Sequence, residues 1–421
     1  MNISIRNITN KIKNSDDGKR LAENFLSLTL LQICGYVFPI LTFPYLTRVL
    51  GVELFGAISF ATAIIWYFQT VVDWGFFLIS TREIAQNRDN FNVVCRILSR
   101  TLYSKLILMG ISMVILSILT LTIPIFKEKI LLLWLTFLLI PGHIFFPEWF
   151  FQGLERMKYM TILNFIIKLI FTILVFIFIR SSDDYLFQPI LSALGFFIAG
   201  LISMYIIIFR WKYRLVRVPF HECWLAIKES SDVFINTLMP NLYNSFSVLL
   251  LGFWGGNIAN GILEGGAKFV TISCNFLSVI SRTFFPFLAR RKDKHYLFAR
   301  INLVCALSIS IFLFLLSPQI VHLFLTNEFD SSIIVLRILS FSVFFVSLST
   351  TYGANYLIIH HQERFCRNIT ATASIIAFIC SWILIYHYEW LGAALAMLVG
   401  RTLLGGGLYL GAKIFAHKQS I

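Results

Sequence analysis

Long stretches without a single Asp, Glu, Lys or Arg recur along the whole chain. They lie near 25–47, 54–72, 106–126, 130–147, 185–209, 233–263, 301–326, 338–362, 368–388 and 402–412. A helix needs about 20 apolar residues to cross a bilayer, so most of these runs are span-length or longer. Several are extended or joined across one intramembrane charge: Asp73, Lys168, Glu264, Lys268, Arg337 or Arg401. No run shows the alternation of a β-barrel, and backbone groups in lipid must bond internally, so the pattern predicts an all-α polytopic bundle. Splitting the over-long runs at their turn signals gives about twelve helices. The expected division is a six-helix bundle over 1–208, a cytoplasmic linker over 209–231 and a second six-helix bundle over 232–421.

Composition sharpens this. The 421 residues are 58% hydrophobic and 13% charged, with a mean hydropathy of +0.79. Soluble domains carry about 25% charged residues, which excludes an ordinary soluble enzyme, a disordered chain and a disulfide scaffold. The charges are lopsided, 35 Lys+Arg against 21 Asp+Glu. With so apolar a chain, the excess is no footprint for nucleic acid. It falls instead on every second connection. Lys11, Lys13, Lys19 and Arg20 precede the first helix, and Arg82, Arg88, Arg96 and Arg100 follow the second. Arg156 and Lys158 follow the fourth; Arg210, Lys212, Arg214 and Arg217 follow the sixth. Arg290, Arg291, Lys292 and Lys294 follow the eighth, Arg364 and Arg367 the tenth, and Lys413 and Lys418 the last. By the positive-inside rule both termini are expected in the cytoplasm. The start, MNISIRNITNKIKNSDDGKR, has no apolar core, so no cleaved signal peptide is expected. No loop is long enough for a soluble domain. The seven cysteines are scattered and lack metal or redox spacing, and no cofactor or metal is expected.

The halves echo one another. Pro39 precedes Gly51 by the interval at which Pro240 precedes Gly252, and Gly51-Val-Glu-Leu-Phe-Gly56 has the glycine spacing of Gly256-Asn-Ile-Ala-Asn-Gly261. Glu155-Arg156 likewise matches Glu363-Arg364. Halves of even helix number imply a parallel repeat, two bundles about an axis along the membrane normal. Pro39 and Pro44 are expected to break the first helix, and Pro240 to kink the seventh. Gly407 and Gly411 form a close-packing motif in the last helix.

An ionisable group inside the hydrocarbon is costly and points to function. Lys168, Lys268 and Arg401 fall near the middle of their helices. Asp73 lies in the cytoplasmic half of the second, and Glu148 near the inner end of the fourth. Arg48, Arg282 and Arg337 lie toward helix ends, where they either snorkel or line a cavity. Glu264 and Lys268, four apart, suit a helical ion pair. Lys168 and Arg401 have no acid a turn away. The candidate substrate-binding cations are therefore Arg48, Lys168, Lys268, Arg282 and Arg401, and the protonatable coupling candidates are Asp73 and Glu264. More central cations than acids suits a large anionic substrate in a hydrated cavity between the bundles.

FPYLTRVLGVELFGAISFATAI, VVDWGFFLISTREIAQNR and PEWFFQGLERMKYMTILNFIIK resemble signatures of the bacterial O-antigen and polysaccharide repeat-unit flippases. These belong to the multidrug/oligosaccharidyl-lipid/polysaccharide exporter superfamily. The motif matches cover residues 35–180; the rest agrees in topology and hydropathy. The resemblance implies movement of undecaprenyl-diphosphate-linked oligosaccharide from the cytoplasmic to the periplasmic leaflet of the bacterial inner membrane, by alternating access. A polysaccharide polymerase and a chain-length regulator are then expected partners. Arg48 is the Arg of the PYLTR stretch, Asp73 the acid of VDWGF, and Thr81-Arg82-Glu83 the TRE triplet. Two alternatives remain: a cation-coupled drug exporter of the same superfamily, which would need an acidic interior, and a membrane-embedded polymerase or glycosyltransferase, which would need a large external loop.

Overall fold

The computed structural model describes residues 16–238, 241–291, 294–360 and 362–419; Lys11, Lys13, Pro240 and Lys292 lie outside these described residues. Among the described residues there is no strand. The α-helices are α1 (Asp16–Asp73), α2 (Phe76–Asn87), α3 (Phe91–Thr122), α4 (Pro124–Glu128), α5 (Ile130–Phe137), α6 (Leu139–Phe145), α7 (Glu148–Gly153) and α8 (Met157–Phe178). They continue with α9 (Phe187–Tyr205), α10 (Phe220–Leu238), α11 (Asn241–Trp254), α12 (Gly256–Arg290), α13 (His295–Leu315), α14 (Ser317–Phe324), α15 (Ser332–Leu348) and α16 (Glu363–Gln419). Eight helical stretches among the described residues are long and apolar enough to cross a membrane. Two of these, Val37–Asn87 and Glu363–His417, run to 51 and 55 residues, too long for one crossing at about 1.5 Å per residue. The chain is an integral, multi-pass membrane protein. Its outward faces carry Leu121, Ile173, Leu201 and Ile311, which a soluble fold would bury.

The long runs turn where the backbone leaves the helical region. In α1 the break is at Gly51 (φ 72°), and in α16 at Glu389 (φ 46°). Gly75, at φ 77°, separates α1 from α2 beside Trp74, and Val233 approaches it so closely that a Cβ would sit 2.8 Å from the valine's own. The break expected at Pro39 and Pro44 does not occur: α1 passes through both. A proline in a membrane helix removes one backbone bond without forcing the chain to stop, whereas glycine alone reaches the left-handed region free of strain.

By its contacts the chain forms two compact units. The first comprises residues up to Thr42, Phe68–Phe178 and Leu186–Phe234. Trp149, Phe150 and Phe151 on α7 are fully buried in it, and Gly153 lets α7 close onto Ile84 of α2. The α9 helix lies on α6 and α8, with Gly142 and Gly200 clearing the way for Phe196 and Phe145.

The second unit takes Phe43–Tyr67, Ile179–Tyr185 and Ile235–Ile421. Its core joins Leu251, Leu263, Val270, Val335, Leu339 and Val343 to Phe43, Val52 and Ala63. Its tightest contact is made by the two glycine stretches of equal spacing. A Cβ on Gly56 would meet the Asn257 carbonyl oxygen at 1.8 Å, and one on Gly261 the Val52 carbonyl oxygen at 2.1 Å. Asn257 follows Gly256 as Val52 follows Gly51, and both leading glycines have positive φ, 74° and 72°. The two stretches therefore cross reciprocally, as a local two-fold would arrange them. Gly407 and Gly411 press on Ile369 and Phe365 across the Glu389 break, the close packing their spacing predicts.

Candidate functional site

Each unit carries its own group of charged side chains on helices that are otherwise apolar. In the first unit, Asp73 ends α1, where the chain turns at Trp74 and Gly75. Lys105 on α3 donates to its Oδ1 at 2.7 Å. The lysine side chain is 4% exposed and the aspartate 42%. Glu148 opens α7 directly after Pro147, and Asn164 Nδ2 of α8 donates to its Oε1 at 2.5 Å. Lys168, one turn along α8 on the same face, brings its ammonium close to α1 at Gly35, where a Cβ would lie 3.4 Å from Nζ. Glu148 is within electrostatic reach of Asp73, Lys105 and Lys168. His143 on α6 is within reach of Asp73 and Lys105, and its ring stacks on Phe196 at 3.8 Å. Two carboxylates, two ammoniums, an imidazole and an amide thus form a group of no net formal charge when the imidazole is neutral.

The second unit gathers Glu264 and Lys268 on α12 with Arg401 on α16, all within electrostatic reach of the acid. Arg401 Nη1 donates to Ser342 Oγ of α15 at 2.8 Å, and Lys268 Nζ lies 6.0 Å from the centre of the Phe43 ring. Here, among the described residues, two cations answer one carboxylate. A surplus of one positive charge among apolar helices can hold a phosphate oxygen by charge-assisted hydrogen bonds. Arg337 is a separate contact, with Nε donating to Ser317 Oγ at 2.9 Å.

The candidate cations therefore divide. Lys268 and Arg401 come together; Lys168 belongs with the acids of the first unit. Arg48 donates to the Leu323 carbonyl at 2.6 Å, and Arg282 is exposed on α12. Asp73 meets Lys105, a residue the charge-free run at 106–126 left at a helix edge. The signal was available. Asn90 caps α3 by accepting from the Val93 N–H, so the helix starts at Phe91 and Lys105 lies about 21 Å along it. Asn164 and Ser342 carry no formal charge and gave none.

Further ion pairs tie the first unit together. Glu155 takes Arg88 at 2.9 Å, Glu222 of α10 takes Arg96 at 2.5 Å, and Glu83 of the TRE triplet takes Arg100. The Arg96 hydrogen bond holds the Glu222 carboxyl below the usual range.

The family model described as polysaccharide biosynthesis protein matches residues 21–292, well over half of the chain. The chain belongs to that family. It is similar to a protein of Escherichia coli named "Putative O-antigen transporter", 27% identical over 91% of this chain and 94% of that protein. Among solved structures it resembles the lipid II flippase MurJ in an inward closed conformation (TM-score 0.75, 15% identity, 93% of this chain and 87% of that one). It also resembles an inward-facing multidrug resistance transporter of the MOP superfamily (TM-score 0.69, 13% identity, 94% and 98%). At these identities the structural likeness shows the fold that the chain shares with them.

Proposed function

We propose that this protein flips lipid-linked oligosaccharide of the O-antigen type across the bacterial inner membrane. The substrate class is an undecaprenyl-diphosphate-linked repeat unit, moved from the cytoplasmic to the periplasmic leaflet by alternating access. About twelve helices in two bundles, with both termini cytoplasmic, complete the reading, and a polymerase and a chain-length regulator would act on the exported unit. The observation that carries it is the positive surplus of Lys268 and Arg401 about Glu264. A diphosphate needs such a surplus, because an unpaired charge in hydrocarbon costs several kcal/mol or more. Lys168, Arg48 and Arg282 are further cations for the path, and Asp73 and Glu264 the protonatable groups for coupling. The family membership and the O-antigen transporter similarity support the substrate class.

The test is complementation. In a strain lacking the gene, lipid-linked units should accumulate on the cytoplasmic leaflet, and wild-type protein should restore surface polysaccharide. Lys268→Ala and Arg401→Ala should each lower export by at least about tenfold, the worth of one charge-assisted bond. Full export by both would overturn the assignment of these cations. Surface sugars of single-unit length after deletion would instead mark a polymerase, and raised resistance to cationic drugs on expression an exporter.

A further inference from the structure

The segment Arg210-Trp-Lys-Tyr-Arg-Leu-Val-Arg217 follows directly on the turn that ends the α9 span at Arg210. A free tether would leave it loose; here it is fastened side by side to the first unit. Trp211 lies under the Arg156 guanidinium at 4.3 Å and edge-on to Tyr159 at 5.0 Å. Tyr213 stacks on Phe91 at 4.9 Å and meets Phe150 edge-on at 5.2 Å. The Val216 N–H donates to Ser99 Oγ at 2.8 Å and the Arg214 N–H to Cys95 Sγ at 3.3 Å. Between the two anchored rings, Lys212 holds φ at 60°, a conformation a lysine keeps only where its surroundings impose it.

Anchoring the rings turns the intervening cations outward. Arg210, Lys212, Arg214 and Arg217 are all exposed, while Trp211 and Tyr213 are half-buried. The helix that follows repeats the division. On α10, Cys223, Ala226, Ile227 and Ser230 are buried, and the Trp74 indole N–H donates to the Ile227 carbonyl at 2.9 Å. Flanking that face, Phe220 is 64% exposed and Trp224 54%. The one acid of residues 209–225 is Glu222, which Arg96 already occupies.

We infer that residues 210–225 form a docking surface for the anionic phospholipid headgroups of the leaflet in which α9 ends. Exposed aromatic groups beside uncompensated cations fit the boundary between headgroups and acyl chains, where Trp and Phe sit in the apolar layer and Arg meets phosphate. The surface continues a membrane span, so lipid lies next to it without any further partner. The segment joining the two halves would thus be held to the membrane by the charge of the leaflet.

Full-length purified protein in detergent, offered equal amounts of phosphatidylglycerol and phosphatidylcholine, tests this by mass spectrometry of the lipid retained. Wild-type protein should keep phosphatidylglycerol in preference, and added salt should erase that preference. Each cation near an anionic surface strengthens attachment by about fivefold, so Arg210→Gln, Lys212→Gln, Arg214→Gln and Arg217→Gln combined should cut the preference by at least about tenfold. Combining Arg210→Lys, Arg214→Lys and Arg217→Lys should preserve it. Should the glutamine variant fail to fold, Phe220→Ser with Trp224→Ser is the second variant and should lower retention several-fold. An unchanged preference in the folded glutamine variant, or unchanged retention in the serine variant, overturns the inference. So does displacement of the lipid by inorganic phosphate at matched concentration, which would mark a site for free anion.

Discussion

The two units solve the problem of intramembrane charge in opposite ways. The first balances it: Lys105 meets Asp73, Asn164 meets Glu148, and Lys168 lies within reach of the same carboxylate. The second leaves a surplus, with Lys268 and Arg401 sharing Glu264. A balanced group costs least when nothing is bound and responds to the gain or loss of a proton, because one proton breaks its neutrality. A surplus is costly until an anion arrives. The difference fits the proposed tasks, with the diphosphate resting on the cationic group and coupling on Asp73 of the balanced one together with Glu264.

Taking apart the balanced pair should give the largest effect, and an unequal one. Lys105 is almost wholly buried while Asp73 is nearly half exposed. Asp73→Asn leaves a buried ammonium without its carboxylate and should cost about 3–5 kcal/mol. Lys105→Met leaves a carboxylate that water can reach, and should cost about 1–2 kcal/mol. Thermal unfolding of the purified variants measures both, and the double substitution should recover much of the larger loss. Equal losses would show that Asp73 is as poorly hydrated as its partner and would erase the asymmetry.

The next effect separates the units by substrate. Truncating Lys268 or Arg401 should weaken binding of a lipid diphosphate by about 2–3 kcal/mol, and raised salt should change little, since partly buried pairs are poorly screened. Lys168→Ala should weaken binding less and lower transport more, because its ammonium answers Glu148 within the balanced group. Equal loss of affinity in all three would merge the two groups into one anion site.

How far the sequence carried this is clearest at single residues. Charge-free runs located the spans, and mid-helix position singled out Lys168, Lys268 and Arg401, because depth in a helix follows from counting. Partners across helices do not. Lys105 was hidden by placing a span boundary at its neighbour, although the Asn90 cap marks the true start of α3. The glycine echo at 51–56 and 256–261 was legible as spacing, but only packing shows the two stretches seated on each other's backbone. Nor could a pattern show that Phe43–Tyr67 packs with the C-terminal unit, since that depends on which apolar faces meet. The prolines misled because the bilayer tolerates them inside a helix, and Gly51, at positive φ, was the real break.

The smallest effect concerns charge outside the membrane, where water should mute the contrast. Glu222 on α10 is partly exposed, and its hydrogen bond from Arg96 holds its carboxyl below the usual range. A lowered folded pKa means the contribution is complete above the unfolded value of about 4.3 and fades as the pH falls through the folded one. Between pH 6 and 8, then, Glu222→Gln should lower the melting temperature by a small, constant amount, in the spirit of exposed pairs generally. As the pH drops below about 4.3 the wild type should lose this advantage and the two melting curves converge.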